Sequence, residues 1–146
     1  MRNILVAFDG STGAELALER VAIFAEKEAN IHLLAVGRIP EYAETVSEVD
    51  ESKEAAAHHY EKALERAAKK LASLGLRVET HIDYGKPSEV IVRKAEELVT
   101  DLIVVGTNQH SAFMRRVVGA TADKIVDSAH CSVLVVRPRI LPGGAR

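Results

Sequence analysis

Short runs of consecutive apolar residues recur along the chain. Four of them are four or five residues long, which is typical of strands buried on both faces of a parallel sheet. They lie at residues 4–8, 33–36, 102–105 and 133–136. The segment 77–83 alternates between apolar and polar residues instead. Such alternation predicts a half-exposed strand at the edge of the sheet.

Between these runs, apolar residues recur every three or four positions, which is the spacing of amphipathic helices. We predict helices that begin at Ser11 or Thr12 and near Pro87, and helices over residues 51–74 and 117–130. Strands that alternate with helices indicate right-handed crossovers. The pattern therefore predicts one α/β domain, with a parallel sheet covered by helices on both faces.

Two segments stand apart from this alternation. Residues 39–54 contain six acidic side chains and the single cation Lys53. We expect this segment to be a solvated loop that leads into a helix, and a mobile lid is the alternative. The domain is expected to span residues 1–137, and the basic, Pro- and Gly-rich residues 138–146 are expected to form a flexible tail.

Charge and composition narrow the class of protein. Nineteen Lys and Arg against 21 Asp and Glu give a net charge of −2, which suits nucleic-acid binding poorly. No apolar run is long enough to span a membrane, and Asp9 interrupts the first run too early for a signal peptide. We therefore expect a cytoplasmic protein with neither nucleic acid nor membrane as a partner.

Two loops could hold a ligand, because ligands of open parallel sheets bind beyond the carboxyl ends of the strands. One is residues 9–13, after the first strand, and the other is residues 106–118, which leads to a helix N-terminus that can receive an anion. The glycine patterns of P-loops and of dinucleotide-binding turns are absent from the sequence. Asp9 is either a turn residue or a ligand contact, and both interpretations remain open.

The sequence gives no support for a metal site or a catalytic site. The adjacent His58 and His59 diverge by about 100° on a helix and cannot easily share an ion. The lone Cys131 lies in an apolar context that indicates an inert core thiol. No serine or cysteine nucleophile is paired with a base by its spacing, so we expect no catalytic residue.

The two ends of the chain together resemble the single-domain universal stress proteins. The resemblance rests on the opening strand and Asp9-Gly10-Ser11 turn, on residues 103–107, on Gly119, and on residues 122–126 and 131–137. It implies a Rossmann-like fold, similar to the adenine nucleotide alpha hydrolases, with strand order 3-2-1-4-5. It also implies a role in stress or regulation and, in many members, adenine nucleotide binding.

The phosphate loop of that family has the pattern G-x2-G-x9-G-[S/T]. Gly106 and Gly119 match it, whereas Gln109 replaces the second glycine and Ala120 replaces the hydroxyl residue. Gln109 opposes close backbone approach, so we expect weak binding of ATP or another adenine nucleotide, with any Mg²⁺ arriving on the nucleotide. The candidate binding residues are Ala7, Asp9, Val36, Gly106, Gln109, Ser111, Arg115, Gly119, Ala120 and Thr121.

The last apolar strand suggests how the protein associates. Val133, Leu134, Val135 and Val136 should lie at a sheet edge, where a second copy could pair with them to form a homodimer. The alternative is that the basic tail covers this edge. The leading functional hypothesis is a dimeric, nucleotide-binding regulatory module. The alternatives are slow nucleotide hydrolysis using Asp9 and Arg115, or a purely interacting protein with an unknown regulatory partner.

Overall fold

The computed structural model describes residues 2–38, 45–107 and 119–139, apart from the side chains of Ser52 and Ala56. Five strands alternate with four helices in these ranges. In chain order they are β1 (Asn3–Ala7), α1 (Thr12–Phe24), β2 (Asn30–Gly37), α2 (Val46–Ser73), β3 (Arg77–Tyr84), α3 (Pro87–Glu97), β4 (Leu102–Gly106), α4 (Ala120–Ser128) and β5 (Ser132–Val136).

All pairings between the strands are parallel, and the order across the sheet is β3-β2-β1-β4-β5. This is the predicted α/β class and the predicted strand order. The chain builds the sheet outward from β1 to β3, then crosses back to place β4 on the other side of β1. The order therefore reverses between β1 and β4, and this is the point where sheets of this class leave a crevice for ligands.

The side chains of each central strand alternate between two apolar cores. On β1, Ile4 and Val6 join the core shared with α1 and α2, whereas Leu5 joins the core shared with α3 and α4. On β4, Val104 and Ile103 divide between the two cores in the same way. Because both faces are covered, these strands can be apolar throughout, as the runs in the sequence predicted.

The two outer strands are more exposed than the three inner ones. On β3, exposed and half-buried residues are mixed, as predicted for an edge strand. The apolar run of β5 predicted burial on both faces, which is wrong: only Val136 is fully buried and Leu134 is 37% exposed. The predicted position of β5 at the edge of the sheet is confirmed, and an edge strand has a neighbouring strand on one side only.

Much of the acidic segment, residues 39–54, is helical: α2 begins five residues before the predicted start at residue 51. Thr45 caps α2 by accepting a hydrogen bond from the Glu48 N–H, and the helix begins at Val46. Tyr84 of β3 holds the first turns of α2. The Tyr84 hydroxyl donates a hydrogen bond to the Lys53 carbonyl at 3.4 Å, and the Lys53 ammonium lies 5.2 Å from the centre of the Tyr84 ring. Residues 39–44 of the segment, with the lid hypothesis that falls on them, lie outside the described residues.

Helix α4 is shorter than predicted at its end. It finishes at Ser128 rather than at residue 130, and Ala129, His130 and Cys131 connect it to β5. The predicted first residues of this helix, 117 and 118, lie outside the described residues, as do residues 140–146 of the tail. No helix in the described part of the chain has both the length and the apolar character needed to cross a membrane.

Asp101 fastens the end of the sheet opposite the crevice. One of its carboxylate oxygens accepts the backbone N–H groups of Arg2 and Asn3, both at 2.9 Å. The Asp101 N–H in turn donates to the Asn3 carbonyl at 2.8 Å. Asn3 also donates through its side chain to the carbonyl of Val99, at 3.1 Å. The start of β1 is thereby held against the turn that leads into β4.

Candidate functional site

A cavity of about 330 Å³ opens where the strand order reverses. It lies at the carboxyl ends of β1, β2 and β4 and beside the first residues of α1, α3 and α4. Seven of the ten residues predicted to bind a ligand line it, namely Ala7, Asp9, Val36, Gly106, Gly119, Ala120 and Thr121. The other three, Gln109, Ser111 and Arg115, lie outside the described residues.

The turn after β1 shapes one wall of the cavity. Asp9 accepts a hydrogen bond from the Ser11 N–H at 2.9 Å, and Gly10 adopts a φ of 83°, a conformation that favours glycine. Ser11 then caps α1 by accepting from the Ala14 N–H at 3.3 Å. Asp9 is therefore a turn residue, and its exposed carboxylate also lines the cavity. A role in the turn and a contact with a ligand, the two interpretations of Asp9 left open by the sequence, are therefore compatible.

Gly106 has a structural role at the end of β4. A Cβ added to Gly106 would collide with the carbonyl group of Gly13 in the first turn of α1. The sequence suggested Gly106 as the first glycine of a phosphate loop, and the packing provides a second reason for a glycine here. The start of α1 can approach β4 this closely because Gly106 has no side chain.

The N-terminus of α4 forms the opposite wall. Gly119 is the N-cap residue and provides no side chain to bond the first N–H groups of the helix. Ala120 and Thr121 follow it, and both line the cavity. Successive residues of a helix point about 100° apart, but the cavity is wide enough to contact both Ala120 and Thr121. This end of the cavity is suited to an anion.

Thr107 is a residue of the cavity that sequence reasoning missed. It follows Gly106, is 3% exposed and lines the cavity. Its hydroxyl has no hydrogen-bond partner among the described residues. A buried hydroxyl normally has a partner, so Thr107 is available to a ligand or a water molecule. Thr107 could have been predicted from the sequence, because it directly follows the apolar strand β4.

Apolar residues from three elements complete the wall, and none of them was among the predicted binding residues. Leu34 of β2, Tyr60 of α2 and Ile91 of α3 each line the cavity. They come from parts of the chain that are distant in sequence, so only the packing of helices on the sheet brings them together. A flat, partly apolar ligand group could lie against this wall.

A larger, basic cavity adjoins the first one. Its volume is about 770 Å³, and it lies between α3 and α4. Arg38 at the end of β2 and Pro87 at the start of α3 contact both cavities. The charged residues that line the second one are Arg38, Lys86, Arg93 and Lys124, with Glu89 and Glu96. The balance of these described charges is positive.

Comparisons with known proteins agree with this architecture. The model of the universal stress protein family matches residues 1–137. The chain belongs to this family. A Staphylococcus aureus (strain USA300) protein that carries the universal stress protein name is 36% identical over 145 residues, which are 97% of this chain and 87% of that protein.

Solved structures of universal stress proteins have the same fold. UspA from Lactobacillus plantarum is 32% identical with a TM-score of 0.78, and the match covers 93% of this chain and 97% of that one. A family member from Arabidopsis thaliana, solved with AMP bound, is 21% identical with a TM-score of 0.72. That match covers 95% of this chain and 93% of the Arabidopsis chain, and at this identity it shows the fold alone.

Proposed function

We propose that this universal stress protein is a regulatory module that binds an adenine nucleotide in the cavity between the Asp9 turn and the N-terminus of α4. The observation that carries the proposal is the convergence of seven predicted residues on one cavity, from three strands, the turn after β1 and the N-terminus of α4. At about 330 Å³ this cavity is at the lower end of the range of small-molecule sites. The AMP bound to the Arabidopsis family member supports the same class of ligand.

The nucleoside would occupy the part of the cavity formed by β1, β2 and α3. Val36 and Ile91 offer apolar surface to a base, and the Asp9 carboxylate offers a hydrogen-bond acceptor to a hydroxyl or amino group. The Thr107 hydroxyl, buried and without a partner among the described residues, would form a further bond to the ligand. Burial makes such a bond more favourable than it would be in water.

The phosphates would lie towards α4. Its first N–H groups favour an anion, and Arg38 connects this part of the cavity to the basic groove. A longer phosphate chain would extend towards Lys86 and Lys124 of that groove, bringing its Mg²⁺ with it. Because Ala120 lacks the hydroxyl found in the family pattern, we expect weak binding.

The described lining favours binding over catalysis. Asp9 is the only carboxylate among the described residues of the cavity, and these residues include no histidine, cysteine or lysine. Among these described residues, therefore, a general acid and a general base are not assembled. The module would act by changing its interactions when a nucleotide is bound.

The proposal includes a homodimer formed through β5. This strand has β4 as its only neighbour among the described strands, and Leu134 presents an exposed apolar side chain on it. An unpaired apolar edge is a template for a second strand, and a two-fold axis would close the pair. A further regulatory protein partner, whose identity the sequence does not indicate, would respond to this dimer.

Calorimetric titration with AMP, ATP and GTP tests the nucleotide part. We expect AMP and ATP to bind with dissociation constants below the millimolar range, and GTP to bind at least several-fold more weakly. An Asp9→Asn variant keeps an oxygen that can accept the Ser11 N–H, so it should fold normally and bind more weakly. An Asp9→Ala variant loses both the turn contact and the charge. Absence of heat and of a thermal shift with every nucleotide at millimolar concentration would refute the proposal.

A further inference from the structure

Three side chains from β3, at the sheet edge, and from its neighbour β2 meet on the face of the sheet that carries α3. The register pairs His32 of β2 with Glu79 of β3 and pairs Leu34 with His81. Glu79 and His81 are two residues apart and therefore point to the same face. Leu34 belongs to the core formed with α3 and α4, which identifies that face. His32 thus lies opposite Glu79 and diagonally from His81.

The potential ligand atoms of these side chains are close together. The His32 Nδ1 lies 2.9 Å from the His81 Nε2 and 3.7 Å from the Glu79 Oε2. One ligand atom from each of the three residues lies within 4.8 Å of the others. His32 is buried, His81 is half-buried and Glu79 is exposed. The cluster is therefore anchored in the protein on one side and open to solvent on the other.

The environment favours uncharged imidazoles. Burial, above all, lowers the pKa of both His32 and His81. The charge of Lys94 on α3 lowers both further, whereas Glu79 acts in the opposite direction. A neutral imidazole has a lone pair for a metal ion, and the hydrogen bond between the rings holds the two nitrogens face to face.

We propose that His32, Glu79 and His81 form a binding site for a divalent transition-metal ion of the Zn²⁺ type, with solvent as the remaining ligand. Two imidazoles and one carboxylate are a ligand set that such ions accept, whereas Mg²⁺ and Ca²⁺ prefer oxygen ligands. The three residues are not among those that line the candidate nucleotide cavity. The proposal therefore stands independently of nucleotide binding.

Metal binding requires the two imidazole rings to turn, because their facing nitrogens point at each other rather than at a common ion. Two nitrogens that bind the same tetrahedral Zn²⁺ ion at the usual distance are about 3.3 Å from each other. The His32 Nδ1 and the His81 Nε2 are 2.9 Å apart here. In the hydrogen-bonded pair, one of the facing nitrogens carries a proton. On metal binding this proton moves to the other nitrogen of the same ring, so the neutral imidazole changes tautomer and keeps its charge. Glu79 is exposed and free to turn towards the ion.

The neighbouring charges would tune the affinity. Lys94 is a described cation whose charge acts on both histidines, and its ammonium lies 3.3 Å from Asp83 and 3.5 Å from Glu97. These carboxylates partly neutralise it. Removal of its charge in a Lys94→Gln variant should strengthen metal binding several-fold, because the repulsion between the ammonium and the ion disappears.

Metal titrations of untagged protein test the site, with a chromophoric chelator as competitor for Zn²⁺ and visible absorption of Co²⁺ as a probe of geometry. We expect one ion per chain and a tetrahedral or five-coordinate Co²⁺ spectrum. Loss of a residue that only hydrogen-bonds to a metal ligand lowers metal affinity about 10–100-fold. Loss of a ligand itself in His81→Gln should therefore lower the Zn²⁺ affinity about 100-fold or more. His32→Gln should have a similar effect, and Glu79→Gln a smaller one.

A His58→Gln/His59→Gln double variant is the matched control, since it removes two histidines of α2 and leaves the cluster intact. It should bind Zn²⁺ like the parent protein. His81 is half-buried, so its glutamine variant should fold even if His32→Gln does not. The proposal is overturned if no Zn²⁺ binds below the millimolar range, or if His81→Gln binds as tightly as the parent. AMP binding by His81→Gln reports separately on the nucleotide proposal, because neither result depends on the other.

Discussion

Gly106, the last residue of β4, packs directly against the backbone of Gly13 in the first turn of α1. This contact holds the two sides of the candidate cavity at a fixed spacing. The Asp9 turn precedes α1, and residues 107–118 follow Gly106. A glycine that the family pattern assigns to phosphate binding is thus also required by the packing of α1 on the sheet.

We expect Gly106→Ala to lower the free energy of unfolding by about 1–3 kcal/mol, because the new methyl group overlaps the Gly13 carbonyl. Denaturant titration monitored by circular dichroism measures this. Gly119→Ala is the matched control, since an added Cβ there meets nothing within 4 Å, and it should cost less than about 1 kcal/mol. Equal stabilities of the two variants would show that the contact is not tight.

Ala120→Ser should increase nucleotide affinity. The substitution restores a hydroxyl at the exposed first residue of α4, beside the site assigned to the phosphates. A hydrogen bond to a charged acceptor contributes about 1–3 kcal/mol, so a gain of about tenfold in ATP affinity is expected. Ala120→Val, which adds bulk without a hydroxyl, should give no gain. Equal affinities of the serine variant and the parent would place the phosphates elsewhere.

Acid should destabilise the protein partly through Asp101. The hydrogen bonds from the N–H groups of Asn3 and Arg2 lower the pKa of this carboxyl group in the folded state. The unfolded chain therefore takes up the proton first as the pH falls, and the stabilisation is lost as the pH falls through the folded-state pKa. Asp101→Asn should be less stable than the parent near neutral pH, and this difference should shrink in acid. A difference that stays constant with pH would contradict this assignment.

Leu134→Glu should convert the proposed dimer into a monomer. The substitution places a charge on the exposed side of β5, where a second copy of the strand would pair. Sedimentation equilibrium gives the mass directly. Val46→Glu changes a 78% exposed apolar residue on α2 and should leave the dimer intact. A monomeric parent protein, or a dimer in the Leu134→Glu variant, would rule out this interface.

Most of the fold could be predicted from the sequence because the inner strands are buried on both faces. Their apolar runs mark β1, β2 and β4, and the resemblance to the family implied their order. The start of α2 at Val46 was harder to predict. Its first turns are acidic and carry few apolar residues, so they resemble a loop until Thr45 and Tyr84 are seen to hold them.

The candidate site was predictable where it depends on strand ends and less so where it depends on packing. Asp9 and Gly106 follow or end apolar runs, whereas Tyr60 and Ile91 reach the cavity only because α2 and α3 pack on the sheet. The cluster of His32 with His81 was missed for the same reason. The two histidines are 49 residues apart in the sequence, and only the register between β2 and β3 places them together.

Amide chemical shifts of the isotope-labelled protein, followed during titration with AMP, show where on the fold the nucleotide binds. A nucleotide in the candidate cavity should give saturable shifts at Ala7, Asp9, Thr107 and Ala120, with β3 unaffected, and this binding mode is the one under test. It is contradicted if no amide moves at millimolar AMP, or if the largest shifts lie away from the carboxyl ends of β1 and β4.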